Sequence, residues 1–198
     1  MICSHNSMTF VHAKNPIINY LFRGLWKCQR RGIGAQMKAG VKCFDLRVVC
    51  RPHNSGQFRF AHGMADLDVY FSVHETIRHI ERAGGLFRIV IERGGYTYDD
   101  LQTLINTFTP HGNCIGIWAK CGWRQLWANP DFANIVIEDL SYTPFHTDKP
   151  WYRQLGSLLH FTTPYKWALK HNRAFTPAEI DDTRKLIVVD FVDVVKLS

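Results

Sequence analysis

This chain has no run of uncharged apolar residues long enough to span a bilayer, so no membrane-crossing helix is expected. Its start, Met1-Ile2-Cys3-Ser4-His5-Asn6, has neither a basic region nor an apolar stretch. No export signal is therefore expected, and the protein is read as cytoplasmic or as a virus-encoded intracellular protein. Internal repeats and low-complexity segments are missing, which excludes repeat architectures. The six cysteines, Cys3, Cys28, Cys43, Cys50, Cys114 and Cys121, show no CxxC spacing, which removes the common zinc signatures. Without an export signal they are expected as free buried thiols. Acidic residues are in short supply, 17 against 24 lysines and arginines, for a formal charge of +7. That balance favours an anionic partner: nucleic acid, an acidic lipid surface or a phosphorylated substrate. The bases are scattered, apart from Gln29-Arg30-Arg31, and no nucleic-acid-binding motif is present, so no specific nucleic acid is expected.

What is present suits one globular domain spanning residues 1–198, with 46% hydrophobic content to build a core. The segment Val41 to Cys50 reads as a strand, and Phe58 to His62 as a shorter one. Phe87 to Glu92, Ile115 to Trp118, Ile135 to Glu138 and Leu186 to Val189 are further strands, rich in Ile and Val. Ile17 to Lys38 holds one or two helices with a break around Gly32 and Gly34. Ser72 is placed to cap a helix carrying Val73, Ile77 and Ile80, with Glu75 completing a capping box. Tyr98 to Phe108 is another helix, and Thr176-Pro177-Ala178-Glu179 marks a helix start. Strands alternating with helices argue for an α/β fold with a parallel sheet. Thr143 to Arg173 is rich in aromatics and receives no assignment.

Two short pieces carry the chemistry. One is Ser4-His5-Asn6-Ser7; the other is Phe44-Asp45-Leu46-Arg47-Val48 with Phe60-Ala61-His62-Gly63. Together they supply two imidazoles, a fixed positive charge and a carboxylate. Those groups can move a proton off a hydroxyl, stabilise a crowded phosphate and protonate a leaving oxygen. Asp45 and Arg47 are two apart in a strand and project from one face; Phe58, Phe60 and His62 do the same. In both strands the polar group comes late, and parallel α/β folds gather reactive residues at the carboxyl ends of their strands.

The order of these elements resembles the phosphatidylinositol-specific phospholipase C superfamily, in particular its compact bacterial type. The resemblance rests on His5-Asn6, Trp26, Gln29, Gln36, Gly40, the aromatic-Asp-x-Arg strand Phe44 to Arg47, and Phe60-Ala61-His62-Gly63. Ile187-Val188-Val189-Asp190-Phe191 resembles the last strand of such barrels. It implies a compact, distorted TIM-like barrel and an internal phosphotransfer that leaves a cyclic inositol phosphate. In that scheme His5 is the general base, His62 the general acid and Arg47 the stabiliser of phosphoryl charge. Asp45 orients or polarises one of these groups, and Asp190 holds the tautomer of His5.

Arg47 fills the electrostatic role that a cation plays in the calcium-dependent animal enzymes, so no cofactor is expected. The alternative is Ca²⁺ held by Asn6, Asp45 and Glu92. Asn6, Glu92, Lys120 and Arg124 are candidates for substrate contact. His12, His53, His74, His79, His111, His146, His160 and His171 have no motif around them and read as surface or packing residues. Trp118, Trp123, Trp127, Trp151 and Trp167 crowd the second half and offer an interfacial patch for peripheral contact with a membrane. A monomer acting on a phospholipid or another phosphodiester is expected. The alternatives are a phosphodiesterase for another lipid or a glycerophosphodiester, and a non-catalytic relative that keeps the barrel. The length, 198 residues, is short for an eight-stranded barrel.

Overall fold

The computed structural model describes residues 1–50, 58–63, 65–69, 72–93, 96–120, 124–141, 163–172, 174–176, 178–179, 182–194 and 196–197. In chain order the strands are β1 (Ile2–Ser4), β2 (His12–Ala13), β3 (Val41–Cys50), β4 (Phe58–His62), β5 (Ala65–Asp68) and β6 (Leu86–Ile91). They continue with β7 (Cys114–Ala119), β8 (Arg124–Ala128), β9 (Val136–Asp139), β10 (Ala174–Phe175), β11 (Lys185–Val189) and β12 (Lys196–Leu197). The helices are α1 (Pro16–Leu21), α2 (Arg23–Trp26), α3 (Ile33–Lys38), α4 (Val73–Arg82), α5 (Tyr98–Phe108) and α6 (Pro164–His171).

Six of the strands form a parallel arc in the order β7-β6-β3-β1-β11-β9. β8 lies antiparallel on β7, and β4, β5 and β2 form an antiparallel extension that starts from β3. Among the described residues no pairing joins β9 to β8, so the sheet is a distorted TIM-like barrel left open. The N-terminal ammonium of Met1 donates to the carbonyls of Glu179, Asp182 and Lys185, which ties β1 to the start of β11.

Strand periodicity sorts the side chains into two layers. Outward residues of the arc, including Phe44, Leu46, Phe87, Ile89 and Ile187, pack with Val73, Ile77 and Ile80 of α4 and with Leu104 and Phe108 of α5. The inward residues Met1, Cys3, Cys43, Ile115, Leu186 and Val188 make a smaller apolar cluster. Towards the carboxyl ends the same inward rows turn polar: Cys3 gives way to His5, Cys43 to Asp45 and Arg47, and Val188 to Asp190. Cys3, Cys28, Cys43 and Cys114 are free and buried.

Most strands run close to their expected bounds. The helical region from Ile17 to Lys38 contains three short helices, and Gly34 lies inside α3 while Gly32 caps it. The break falls at 27–32, where Cys28 and Gln29 turn their backbone N–H groups to Thr9 Oγ1. Ser72 and Glu75 exchange both bonds of a capping box, as do Thr97 and Asp100. Thr176 and Glu179 exchange the same pair of bonds, in line with the helix start expected there. Within the unassigned aromatic stretch, α6 is described and 142–162 lies outside the described residues.

Candidate active site

His5 stands one residue past β1, with its N–H on Val189 O at 2.8 Å. Asp190 stands one residue past the neighbouring β11, and the parallel register of Ser4 with Val189 brings the two level. His5 Nδ1 lies 2.6 Å from Asp190 Oδ1. A carboxylate accepts, so Nδ1 carries the proton and Nε2 is left as the basic nitrogen. That nitrogen faces Arg47 Nη2 at 2.5 Å, and a guanidinium can only donate. One imidazole is thus held in one tautomer from both sides.

The residues following both members of this pair have left-handed backbone, Asn6 at φ 45° and Phe191 at φ 46°. Asn tolerates that region; for Phe it is costly and is maintained by surrounding bonds. Phe191 donates its N–H to Cys28 O at 2.6 Å. Gln29 donates to the carbonyls of His5 and Val189 and accepts from Val192 N, so it fastens the ends of β1 and β11 together. Asn172 Nδ2 donates to Asp190 O at 2.7 Å.

His62 arrives differently from the expectation. β4 pairs antiparallel with β3, Val48 opposite Phe60, so His62 does not lie at the carboxyl end of a parallel strand. β3 runs past the rim of the arc and β4 folds back, which returns His62 to the level of Asp45 and Arg47. Its Nδ1 lies 2.5 Å from Trp26 O, and a carbonyl only accepts, so the proton sits on Nδ1. Its Nε2 is 3.9 Å from Glu92 Oε1. The rings of His5 and His62 have centroids 5.8 Å apart and planes at 88°. Gly63, at φ 55°, makes the turn and gives its N–H to Glu92 Oε1 at 2.6 Å.

A buried network of charge supports the two imidazoles. Arg47 donates from Nε to Asp45 Oδ2 and from Nη1 to Glu92 Oε2, each at 3.2 Å. Arg88 Nη2 donates to the same Asp45 oxygen at 3.2 Å, and Lys120 Nζ pairs with Glu92 Oε1. Asn6 N also donates to Asp45 Oδ2. Burial opposes the charge on Asp45, but Arg88 and Arg47 hold its carboxyl far below the usual range. Glu92 is lowered against the same burial by Arg47, His62 and Lys120.

Both imidazoles are pushed towards neutrality. His5 is well below the ordinary histidine value because it is buried and faces Arg47. Burial, with Arg47 and Lys120, brings His62 down to about 4, against the pull of Glu92. Asn6 Nδ2 and Oδ1 and Asp45 Oδ1 are buried without a hydrogen-bond partner among the described residues.

The alternative Ca²⁺ set does not fit this arrangement. Asp45 Oδ2 already accepts from two guanidinium groups, and both oxygens of Glu92 are engaged by Arg47, Lys120 and Gly63. A divalent cation would stand among three fixed cations.

Of the residues singled out in the sequence, His5, Asn6, Asp45, Arg47, His62, Glu92, Lys120 and Asp190 come together. Arg124 opens β8 with an exposed side chain, and among the described residues no bond joins it to the cluster. Trp118 and Trp127 are half-buried, while Trp123, Trp151 and the side chain of Trp167 lie outside the described residues. Exposed apolar side chains gather instead on and after α1, at Ile17, Tyr20, Leu21 and Phe22. Two further participants escaped the sequence reading. Arg88 shares an inward strand parity with Glu92, a signal available in β6. Cys28, whose sulfur lies 3.7 Å from His62 Nδ1, had none. His5, Cys28 and Asp190 bring donor atoms within 4.8 Å of one another. His5 Nδ1 is committed to Asp190 there, and its other nitrogen faces a cation.

No family model and no curated protein matches the sequence. Solved structures do. A phosphatidylinositol-specific phospholipase C from Listeria monocytogenes aligns over 98% of this chain and 89% of its own, with TM-score 0.59 and 14% identity. A Staphylococcus aureus structure, from work on the membrane binding of its phosphatidylinositol-specific phospholipase C, aligns over 96% and 85%, with TM-score 0.54 and 13% identity. A mutant of the S. aureus enzyme covers the same shares with TM-score 0.56 and 14% identity. At this identity the likeness is one of fold: the chain shares a distorted TIM-like barrel with these structures.

Proposed function

We propose that this protein is a phosphodiesterase that cleaves a phosphatidylinositol-type phosphodiester by paired-histidine acid/base catalysis. The observation that carries this reading is the pair itself. Two neutral imidazoles face each other across 5.8 Å, each with its tautomer held by a different partner.

In this scheme Nε2 of His5 takes the proton from the inositol 2-hydroxyl as its oxygen attacks phosphorus. The bond from phosphorus to the diacylglycerol oxygen breaks, and that oxygen takes a proton from Nε2 of His62. A cyclic inositol phosphate remains. The Nη2–H that Arg47 directs at His5 turns its hydrogen bond to a phosphoryl oxygen, and the proton stays on the guanidinium. The incoming phosphate anion and Glu92 together raise His62 from its low value, so that it binds a proton when substrate is bound. Lys120 supports Glu92 at the rim. No metal takes part. The exposed residues Ile17, Tyr20 and Leu21 of α1 supply peripheral contact with the lipid surface.

Phosphorus NMR with phosphatidylinositol in detergent, with and without a chelator, tests this directly. A cyclic inositol phosphate signal that survives the chelator is expected, with His5→Ala and His62→Ala each slowing its appearance by about 10²–10⁴. No product, or a His62→Ala rate equal to wild type, would sink the scheme.

A further inference from the structure

We propose that the cleft between α2 and α6 binds a phosphate group. The cleft has a volume of about 460 Å³ and is lined by Arg23, Lys27, Arg30, Thr163, Tyr165 and Phe191. Three of these side chains are cationic, and none of the described lining residues is acidic. Several bases elsewhere are paired with carboxylates, among them Arg47, Arg88, Lys120, Arg59, Arg93 and Lys185. Among the described residues no carboxylate pairs with Arg23, Lys27 or Arg30.

The geometry organises this charge. The guanidinium of Arg30 lies 3.6 Å over the ring of Tyr165 and 5.5 Å from that of Phe191. Those two rings meet edge to face at 5.1 Å, so Arg30 rests on a rigid aromatic platform. A stacked guanidinium keeps its N–H edge for a planar or tetrahedral anion. Lys27 gives one ammonium proton to Phe10 O at 3.1 Å and is half-buried. Burial, then Arg23 and Arg30, push it down to about 8. Cations crowded in this way repel one another, and an anion seated among them relieves that repulsion. A phosphate, with its charge and several acceptor oxygens, matches two guanidinium groups and an ammonium.

The cleft adjoins the paired-histidine site at two backbone steps, Trp26–Lys27 and Asp190–Phe191, and uses none of its side chains. The phosphate can belong to a soluble ester or to a lipid headgroup. The apolar residues Tyr20 and Leu21 are exposed just before α2.

The test measures binding of radiolabelled inorganic phosphate by equilibrium dialysis, in wild type and in Arg23→Gln/Arg30→Gln. Both arginines are exposed, so the variant is expected to keep its fold, checked by circular dichroism. A second variant, Lys27→Gln, probes the buried side of the cleft. Phosphate held at the histidine site would persist in both variants, so the expected result is loss of one class of site, with affinity at least tenfold weaker. Flotation with vesicles of phosphatidylcholine, alone or mixed with phosphatidylglycerol, separates the sources. Vesicle binding weakened in the double variant and competed by soluble glycerophosphate assigns the cleft to headgroups. Vesicle binding unchanged while phosphate binding is lost assigns it to soluble esters. Wild-type phosphate affinity and stoichiometry in both variants would overturn the proposal. Turnover is not read in either arm, so the result is independent of the catalytic scheme.

Discussion

His5 and His62 show how one residue type is given two different settings by its surroundings. His5 is clamped between a carboxylate and a guanidinium, which leaves Nε2 as its basic nitrogen, facing Arg47. His62 is pinned by a carbonyl and has only a distant carboxylate, so its second nitrogen has the looser environment. Asp190→Asn keeps the shape of the clamp but can turn a donor towards Nδ1. Turnover is expected to fall by about 10²–10⁴, with the urea midpoint shifting little by comparison, as steady-state kinetics beside an unfolding curve would show. Arg47→Lys replaces three directed bonds by a point charge that cannot reach Asp45, Glu92 and His5 together. A loss of roughly tenfold or more in kcat/KM is expected, together with lower stability from the partly unpaired Asp45. Full activity in Arg47→Lys would show that charge alone suffices there.

The helices act as supports for the inward rows, and their ends carry separable energies. Ser72 caps α4 through both bonds of its box, on the outer layer. Ser72→Ala is expected to cost about 1 kcal/mol in urea unfolding and to leave turnover unchanged. A large loss of activity in that variant would show that α4 reaches the site in a way the packing does not suggest. The β3–β4 pair is the element on which the proposed chemistry depends most. Its antiparallel return carries His62 into a site otherwise built from parallel strands, and Gly63 ends it in a left-handed turn bonded to Glu92. A side chain at that position forces an unfavourable φ.

At the scale of the whole molecule the barrel interior divides into an apolar floor and a polar mouth, with Asp45, Arg47, Arg88 and Glu92 between. This division makes stability depend on acid. His62 binds its proton at about 4 when folded and at 6.5 when unfolded, so the unfolded chain takes up the proton first as pH falls. The stability that His62 contributes by staying neutral is present above 6.5 and is lost progressively towards 4, for roughly 3 kcal/mol. His5 acts in the same direction. Glu92 and Asp45, both lowered by the cations around them, lose their contributions only at lower pH still. Urea unfolding at a series of pH values should therefore show a decline that begins near 6.5 and is shallower in His62→Ala. A flat profile through that window would contradict the burial of both histidines in neutral form.

Local signals in the chain determined a good deal. Short apolar runs rich in Ile and Val placed β6, β7 and β11, and Ser72 with Glu75 marked the start of α4, because composition and capping act over a few residues. The motif pieces around His5, Asp45, Arg47 and His62 were visible for the same reason, each being contiguous. Tertiary structure alone decided the rest. The partnership of Asp190 with His5, 185 positions away, was expected only through the resemblance, and the contact itself exists because β1 and β11 pair in register. The opposite direction of β4, the place of Arg88 beside Asp45, the approach of Cys28 to His62 and the meeting of Arg30 with Tyr165 are likewise long-range outcomes. Each is set by strand order and chain reversal, which no local spacing encodes.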